Sequence, residues 1–224
     1  MQEEPIEEQE RIEELEEQPP WWKGPLRYIL SIFLILIIVL WYVSDYAVKV
    51  DPEPKRIPTI EEVVPEKIII ENKSTTITRE EFLLYITPND PVIKQTADKI
   101  AAISCDSSKI CQAKAIFYFV RDNFNYVSDP FAYEYIKTAK ESLVTGSGDC
   151  DDASILLANL LEAVGIRARF VFIPNHVYVQ ASIPEAAKRY KTEQNWINLD
   201  ATCHNCKFGE IPIENEVKNK EYIG

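Results

Sequence analysis

The stretch from residue 146 to residue 165 reads GSGDCDDASILLANLLEAVG and predicts the helix around which the fold is organised. Asp149 is a favourable N-cap, and Asp152, three residues later, can complete a capping box with it. At about 100° per residue, apolar side chains cover most of the circumference, so this helix is expected to be buried. Gly165 is a typical residue to end it. We therefore predict a buried helix that begins at Cys150.

Cys150 lies on the first turn of that helix, where unpaired backbone N–H groups and the helix dipole favour the nucleophilic thiolate. The flanking Asp149, Asp151 and Asp152 oppose the thiolate by their charge. The two residues that follow a helical residue project about 100° and 200° away from it, so their carboxylates need not face the sulfur. We expect the dipole and a partner base to prevail. Cys150 is therefore the candidate nucleophile, and a buried cysteine with a packing role only is the alternative.

A base and a carboxylate follow on two predicted strands. His176 opens the alternating stretch that ends at residue 183, and Asp200 ends the stretch 195–200. A nucleophilic thiol needs an imidazole within hydrogen-bond reach, and the imidazole needs a carboxylate that fixes its tautomer. Residues directly opposite on neighbouring antiparallel strands lie about 5 Å apart. His176 and Asp200 are therefore the candidates, although each residue taken alone is also typical of a turn at a strand end.

Four blocks of sequence together resemble the transglutaminase-like superfamily, whose core is similar to that of papain-type cysteine proteases. They are Gly148-Asp-Cys-Asp-Asp152, Ala163-Val-Gly-Ile-Arg-Ala-Arg169, His176-Val-Tyr178 and Trp196-Ile-Asn-Leu-Asp-Ala-Thr202. The resemblance covers roughly residues 90–206. It implies that Cys150 is the nucleophile, His176 the general base and acid, and Asp200 the residue that orients His176. It also implies acyl transfer through a thioester, with water or an amine as the acceptor.

The resulting hypothesis is a membrane-anchored, thiol-dependent enzyme that acts on peptide or side-chain amides of a protein or peptide substrate, as a cysteine peptidase, an amidase or a transglutaminase-type acyltransferase. The oxyanion of that reaction needs the Cys150 backbone N–H and a second donor, for which Tyr126 is the candidate. No cofactor and no metal are expected. The chain has neither the accessory β-domains of the animal crosslinking enzymes nor an evident calcium loop, which argues against crosslinking and calcium activation. The alternative is a catalytically inactive domain of the same fold that serves as a membrane-tethered protein-interaction module.

The other four cysteines form two local pairs, Cys105 with Cys111 and Cys203 with Cys206, which are disulfide candidates. Local pairs favour an oxidising compartment, and the alternative is that all the cysteines are reduced and buried. The Cys203-His-Asn-Cys206 segment alone supplies too few ligands for structural zinc. A redox motif of this spacing usually heads a helix, whereas this one follows a strand. We therefore favour a disulfide or a reduced pair there over a metal or redox site.

An uncharged apolar stretch, residues 28–44, predicts one transmembrane helix over residues 25–48, with residues 26–44 in contact with the lipid bilayer. Aromatic residues suited to the two interfacial belts flank it: Trp21, Trp22, Trp41 and Tyr42. A cleaved signal peptide is the alternative, but the long acidic leader and the lack of a small-residue cleavage site argue against it. The sequence thus predicts a single-pass membrane protein.

The orientation of this helix is not decided by the basic residues, because Lys and Arg on its two sides nearly balance. We expect the domain on the extracytoplasmic side. The cysteine pairs and a possible glycosylation acceptor, Asn72-Lys-Ser74, favour that side. A cytosolic domain is the competing interpretation.

The formal net charge of −12 is concentrated at one end of the chain. Residues 1–23 hold nine Glu against Arg11 and Lys23, which gives −7 of the −12. We interpret residues 1–24 as an acidic, disordered tail. The remainder is only mildly acidic and has no basic stripe, so a nucleic-acid partner is not expected.

Residues 49–77 are a proline-rich linker and lead-in, of which residues 51–66 are predicted to form a stiff spacer that lifts the domain off the bilayer. Residues 78–224 form the predicted domain. Helix starts are expected near Thr78, Asp90 and Ser108, strands at residues 167–173, 177–183 and 195–200, and a short helix at residues 184–190. Helices that precede consecutive strands with short links predict an α+β fold with a papain-like core, in which helices pack on an antiparallel β-sheet.

Overall fold

The computed structural model describes residues 24–66, 68–70, 78–129 and 135–224. Residues 1–23 of the predicted acidic tail and the possible glycosylation acceptor Asn72 lie outside this described part. The chain divides into two units, with the boundary between Lys49 and Val50. The first unit holds the apolar helix, and the second holds the predicted domain.

Helix α1 runs from Pro25 to Val50. Its residues 25–43 are long and apolar enough to cross a membrane, and no part of that stretch is buried by other residues. Large apolar side chains from Tyr28 to Val43 are exposed all around the helix. A helix that is hydrophobic on every side needs an apolar environment. The uncharged stretch therefore forms one continuous helix with the composition of a membrane span.

The second unit combines short and long helices with two sheets. Its α-helices are α2 (Ile60–Val63), α3 (Pro91–Ser104), α4 (Lys109–Asn123), α5 (Ala139–Thr145), α6 (Cys150–Ala163) and α7 (Ile213–Glu216). Its strands are β1 (Asn125–Tyr126), β2 (Ser147–Gly148), β3 (Ala168–Ile173), β4 (His176–Ser182), β5 (Lys191–Glu193), β6 (Trp196–Leu199) and β7 (Glu221–Ile223). Two 3-10 helices, Glu80–Tyr85 and Lys188–Tyr190, complete the described elements.

The main sheet has the strand order β5-β6-β4-β3-β7, and every neighbouring pair is antiparallel. Successive side chains of a strand point to opposite faces. Phe170 and Phe172 of β3 accordingly enter the main core, whereas Val171 and Ile173 enter a smaller cluster on the other face. The predicted α+β fold with an antiparallel sheet is therefore confirmed.

Helix α6 lies between the sheet and the helices α3, α4 and α5. It begins at Cys150, as predicted, and Gly165 follows it in the left-handed conformation at φ 74°. Asn159, a polar residue in its middle, is fully buried. Its side-chain amide donates to the carbonyl oxygen of Tyr85 at 2.9 Å, and its oxygen accepts from the backbone N–H of Thr87 at 2.7 Å. These contacts hold residues 85–87 against the central helix.

Residues 51–64 lie against the domain. The backbone N–H of Lys55 donates to the carbonyl oxygen of Ser104 at 2.8 Å, and Val63 is fully buried in the core. The carbonyl oxygen of Pro58 accepts from Asn123 of α4 at 3.3 Å. These residues therefore belong to the domain surface and do not form the free spacer that their prolines predict.

The cysteine pairs and the segment 184–190 were also predicted from the sequence. The predicted disulfides Cys105–Cys111 and Cys203–Cys206 are both formed, and Cys150 remains a free thiol. The helix expected over residues 184–190 is wrong in extent, because only Lys188–Tyr190 is helical, as a 3-10 turn. Ala187 is in the extended conformation at ψ 143° and interrupts the stretch, so helical turns begin only at Lys188.

Candidate active site

The chain passes very close to its own helix just before α6. Gly148 permits this approach, because a Cβ atom there would lie 2.2 Å from Oδ2 of Asp152. Asp152 is fully buried, and its carboxylate accepts from the backbone N–H of Lys137 at 2.7 Å and from the Lys137 ammonium at 2.6 Å. Burial raises the pKa of this carboxylate, while Lys137 and the nearby backbone N–H of Asp149 act to lower it. The helix start is thus fixed from two sides.

Asp149 caps the helix as predicted. Its Oδ1 accepts from the backbone N–H of Asp151 at 3.0 Å and from that of Asp152 at 3.3 Å. Cys150 is consequently the first helical residue, and its side chain is half-buried. A thiol at this position lies at the positive end of the helix dipole.

Strand β4 meets α6 at the first turn of the helix. The backbone N–H of Val177 lies close enough to the Cys150 sulfur to act on its titration, in the direction that lowers the pKa of the thiol. The Val177 carbonyl oxygen accepts from the Ser154 hydroxyl at 3.2 Å. The pairing of β4 with β6 starts only at Val179, so the polar groups of Val177 are available to the helix. The peptide unit that joins His176 to Val177 therefore lies beside the sulfur.

His176 and Asp200 are brought together as the sequence pattern suggests. The His176 ring Nε2 lies 2.9 Å from Oδ2 of Asp200, and the aspartate side chain is only 2% exposed. The other carboxylate oxygen accepts from the backbone N–H of Thr202 at 3.2 Å and from its hydroxyl at 2.7 Å. Because Nε2 is engaged by Asp200, Nδ1 is the ring nitrogen left for a second partner. A carboxylate held in this way can fix the tautomer and orientation of the ring.

The electrostatic surroundings of Cys150 differ from the sequence expectation. Burial raises the pKa of the thiol to about 12, and the charges of Asp151 and Asp149 act in the same direction, while the Val177 N–H opposes them. The Asp151 carboxylate also lies within hydrogen-bond reach, with 3.5 Å between Sγ and Oδ1. The helix angle allowed both carboxylates to avoid the sulfur, but only that of Asp152 does so, by binding Lys137. Burial and the carboxylates of Asp151 and Asp149 therefore disfavour the thiolate.

Two carboxylates lie close enough to the Cys150 sulfur for the three groups to be candidate ligands of one cation. One ligand atom each of Asp149, Cys150 and Asp151 lies within 4.8 Å of the others. A hard cation such as Ca²⁺ takes about six to eight oxygen ligands, and a thiol is a soft ligand. Asp149 already caps the helix. These three groups therefore fit a cation only in part.

Tyr126 lies at the edge of this site. Strand β1 runs parallel to β2 with Tyr126 opposite Gly148, and the next residue, Val127, donates its N–H to the Gly148 carbonyl oxygen at 2.7 Å. Burial and then the charges of Cys150, Asp149 and Asp151 raise the pKa of the phenol. The side chain is 53% exposed. The structure therefore places Tyr126 near Cys150 with its ring open to solvent.

Two contributors to the site were not anticipated from the sequence. The Val177 N–H is a backbone group, so its residue type carries no signal for this role. Lys137 neutralises the buried Asp152, and the only available signal was that two basic residues, Lys137 and Lys140, precede the Asp149-Cys-Asp-Asp152 segment.

The domain that carries this site was compared with known protein families. Residues 94–201 match the family model of the transglutaminase-like superfamily. The domain belongs to the transglutaminase-like superfamily. This membership supports an activity of the cysteine-peptidase type. No curated protein is significantly similar in sequence.

Several solved structures resemble the transglutaminase-like domain. A candidate cysteine protease from Cytophaga hutchinsonii is similar at 22% identity and a TM-score of 0.40, over 53% of this chain and 39% of that protein. LapG from Legionella pneumophila is similar at 22% identity and a TM-score of 0.37, over 51% of this chain and 66% of LapG. Its calcium-bound form gives 21% identity and a TM-score of 0.40, over 58% of this chain and 74% of that one. The chain spans less than two-thirds of the length of the first two structures, and the likeness concerns the fold alone.

Proposed function

We propose that the protein is a membrane-anchored, thiol-dependent acyl-transfer enzyme that acts on peptide or side-chain amides through a thioester on Cys150. The observation that carries this proposal is the convergence of three elements. The N-terminus of α6 supplies the thiol, the start of β4 places the His176–Val177 peptide unit beside it, and the end of β6 supplies Asp200 at 2.9 Å from the imidazole. A nucleophile, a base and an orienting carboxylate are the minimum set for this chemistry.

In the first step His176 takes the proton of the Cys150 thiol as the sulfur attacks the amide carbonyl carbon. A C–S bond forms, and the carbonyl oxygen becomes an oxyanion. The protonated His176 then gives its proton to the leaving nitrogen as the C–N bond breaks, which leaves a thioester. Water or an amine, deprotonated by His176, attacks that thioester and releases the thiol. Asp200 stabilises the charged imidazolium that each transfer creates.

The oxyanion requires donors aimed at the developing charge. We assign the first donor to the backbone N–H of Cys150, because the Asp149 cap takes up the N–H groups of the next two residues. The Tyr126 hydroxyl is the second candidate. Its raised pKa keeps the phenol protonated at neutral pH, so it can act as a donor. Its exposed ring would have to turn toward the substrate.

The raised pKa of Cys150 decides how the nucleophile forms. A thiol with a pKa of about 12 has almost no thiolate at neutral pH. Proton transfer to His176 must therefore accompany the attack and cannot precede it as a stable ion pair. Rapid reaction depends on the imidazole being held in place, which is the role that we assign to Asp200.

The membrane anchor is proposed from α1, whose residues 25–43 have the length and composition of a span. We further propose that the domain lies on the extracytoplasmic side. The two disulfides support that side, because disulfides persist in oxidising compartments. The substrate is then a protein or peptide that reaches the outer surface of the membrane.

The test uses the full chain in detergent and a pool of peptides from a digested proteome. Mass spectrometry would detect new termini if the enzyme hydrolyses peptide bonds, and new amide links to an added primary amine if it transfers acyl groups. Cys150→Ser and His176→Ala are expected to lose the activity by several orders of magnitude. His204→Ala is the matched control, since it removes the other histidine of the sequence and that side chain is exposed on the loop after β6. Equal product formation by wild type and Cys150→Ser would refute the proposal.

A second candidate function is a catalytically inactive interaction module. The observation that favours it is that burial, followed by the charges of Asp151 and Asp149, raises the pKa of the Cys150 thiol. This candidate predicts that Cys150 reacts with electrophiles no faster than an ordinary buried cysteine, and that His176→Ala leaves that rate unchanged.

A further inference from the structure

The chain folds back on itself directly after Asp200. The Asp200 carbonyl oxygen accepts from the backbone N–H of Cys203 at 3.2 Å, and the Cys203 carbonyl oxygen accepts from that of Cys206 at 3.0 Å. Thr202 donates both its N–H and its hydroxyl to the Asp200 carboxylate. The disulfide between Cys203 and Cys206 closes this loop. Residues 200–206 therefore form one connected unit that ends on the carboxylate facing His176.

The far end of the loop is anchored on helix α4. The carbonyl oxygen of Cys206 accepts from the Arg121 guanidinium at 2.8 Å. The backbone N–H of Phe208 donates to the Tyr118 hydroxyl at 3.3 Å, and the Phe208 ring is buried in the core. The disulfide thus joins an end that is fixed on α4 to the end that carries Asp200. Without the S–S bond, the Asp200 end keeps its hydrogen bonds to Thr202 and the packing of Leu199 and Ala201 in the core, but it loses its covalent link to the end fixed on α4.

We propose that the Cys203–Cys206 disulfide and Thr202 form a positioning element for Asp200, through which reduction of this disulfide lowers the reactivity of Cys150. The inference rests on the proposed function, because it assigns Asp200 the task of orienting His176. Cys203 is partly exposed and Cys206 is buried, so Cys203 is the sulfur that an external thiol reaches. Thr202, Cys203 and Cys206 act through Asp200 and do not touch the substrate.

The redox step needs a dithiol reductant. One of its thiolates attacks the Cys203 sulfur, forms a mixed disulfide and releases the Cys206 thiolate, which takes a proton. The second thiol of the reductant then displaces Cys203, which takes a proton in turn, and the reductant leaves as a cyclic disulfide. Two electrons pass to the protein, and two cysteine thiols replace the S–S bond.

The Cys105–Cys111 disulfide supplies a matched control. It joins the end of α3 to the start of α4, and both of its cysteines are buried in the core. It shares no contact with the loop that carries Asp200 among the contacts that the structure describes. Its removal perturbs the fold in a similar way but leaves the Asp200 loop intact.

The experiment measures the rate at which iodoacetamide alkylates Cys150 in the full chain, from the mass spectrum of the Cys150 peptide over a range of pH. The Cys203→Ala/Cys206→Ala variant should react about 10- to 100-fold more slowly at neutral pH, which is the scale of a small displacement of a catalytic group. Its pH profile should also approach that of His176→Ala. The Cys105→Ala/Cys111→Ala variant should keep the wild-type profile. Wild-type protein treated with dithiothreitol, with the fold checked by circular dichroism, should behave like the first variant.

Substitutions of Thr202 distinguish a positioning role for this loop from a purely stabilising one. Thr202→Val removes the hydroxyl that donates to Asp200 and should slow alkylation, whereas Thr202→Ser keeps the donor and should restore the rate. The variant and reduction tests would overturn the proposal if alkylation and its pH profile matched wild type after loss of the Cys203–Cys206 bond in folded protein. If His176→Ala also matched wild type, the proposed function itself would fail. If alkylation of Cys150 were slow in His176→Ala but as fast as wild type in Cys203→Ala/Cys206→Ala, only the role of the disulfide would be refuted.

Discussion

Substitution of Asp149 by Asn should stabilise the protein at alkaline pH. Burial, followed by the charge of Asp152, raises the pKa of Asp149 from 3.8 to about 6. The folded state therefore binds this proton more tightly than the unfolded state does. The stability that the protonated form confers is complete below about pH 4 and is lost as the pH rises through about 6. At pH 8 the folded protein carries the full cost of a buried charge.

The size of that cost follows from the pKa shift. A shift of about two units corresponds to about 3 kcal/mol. Asp149 is partly exposed, so solvent screening reduces this figure. Asn caps a helix about as well as Asp but gives up the attraction to the helix dipole, which is worth about 0.3–1 kcal/mol. We expect Asp149→Asn to gain about 1–2 kcal/mol at pH 8 and little or nothing at pH 5.

Urea unfolding of the full chain in mild detergent, followed by tryptophan fluorescence, measures this difference. Glu214→Gln is the matched control, because Glu214 is an exposed carboxylate on the first turn of α7. Its effect should stay within about 0.5 kcal/mol at both pH values. An Asp149→Asn variant that is no more stable than wild type at pH 8, or that gains equally at pH 5 and pH 8, would refute the assignment of a buried charge at the helix cap.

Three other substitutions test the packing around the site. Gly148→Ala places a Cβ atom 2.2 Å from the Asp152 carboxylate and should cost about 1–3 kcal/mol in urea unfolding; an unchanged midpoint would show that the turn has room. Lys114→Met should cost only about 1 kcal/mol by the same assay, because Asp51 keeps its contacts with Arg189 and Tyr190 and the Glu53 side chain is 63% exposed; a loss of about 3 kcal/mol or more would show that Asp51 is left as an unpaired buried charge. Removal of the Cys105–Cys111 disulfide by the Cys105→Ala/Cys111→Ala substitutions opens a short loop and should cost about 2 kcal/mol; an unchanged urea midpoint would show that this bond does not stabilise the domain.

The central helix and its neighbours could be predicted because local signals agree there. Asp149, Gly148 and Gly165 mark the helix start and end, and the apolar pattern between them shows burial. The alternation in the stretches around His176 and Asp200 likewise predicted the strands to within about two residues.

The segment from residue 51 to residue 64 shows where sequence reasoning fails. Its prolines indicate stiffness, but they do not show which surface the segment meets. Lys114 of α4 is fully buried and binds Asp51 at 2.6 Å and Glu53 at 2.5 Å. Such a contact depends on the folding of two distant stretches, so neither stretch carries a signal for it.

Asp151 illustrates a second limit. The angle between successive helical residues indicated that its carboxylate need not face the Cys150 sulfur. Oδ1 of Asp151 nevertheless lies 3.5 Å from Sγ of Cys150. Side-chain rotation on the first turn of a helix, where no preceding turn restricts it, outweighs the backbone angle. Lys137, which binds Asp152, lies on a separate segment ahead of α5, and the sequence did not show that this segment would meet the start of α6.

The acyl-enzyme itself is the most direct test of the mechanism. The full chain would be mixed with a reactive aryl ester of acetic acid, quenched in acid and digested, and the site and rate of acetylation would be read by mass spectrometry. The proposed relay predicts rapid acetylation of Cys150 in wild type and in His204→Ala, and much slower acetylation in His176→Ala. Acetylation of Cys150 at the same slow rate in all three proteins would contradict it.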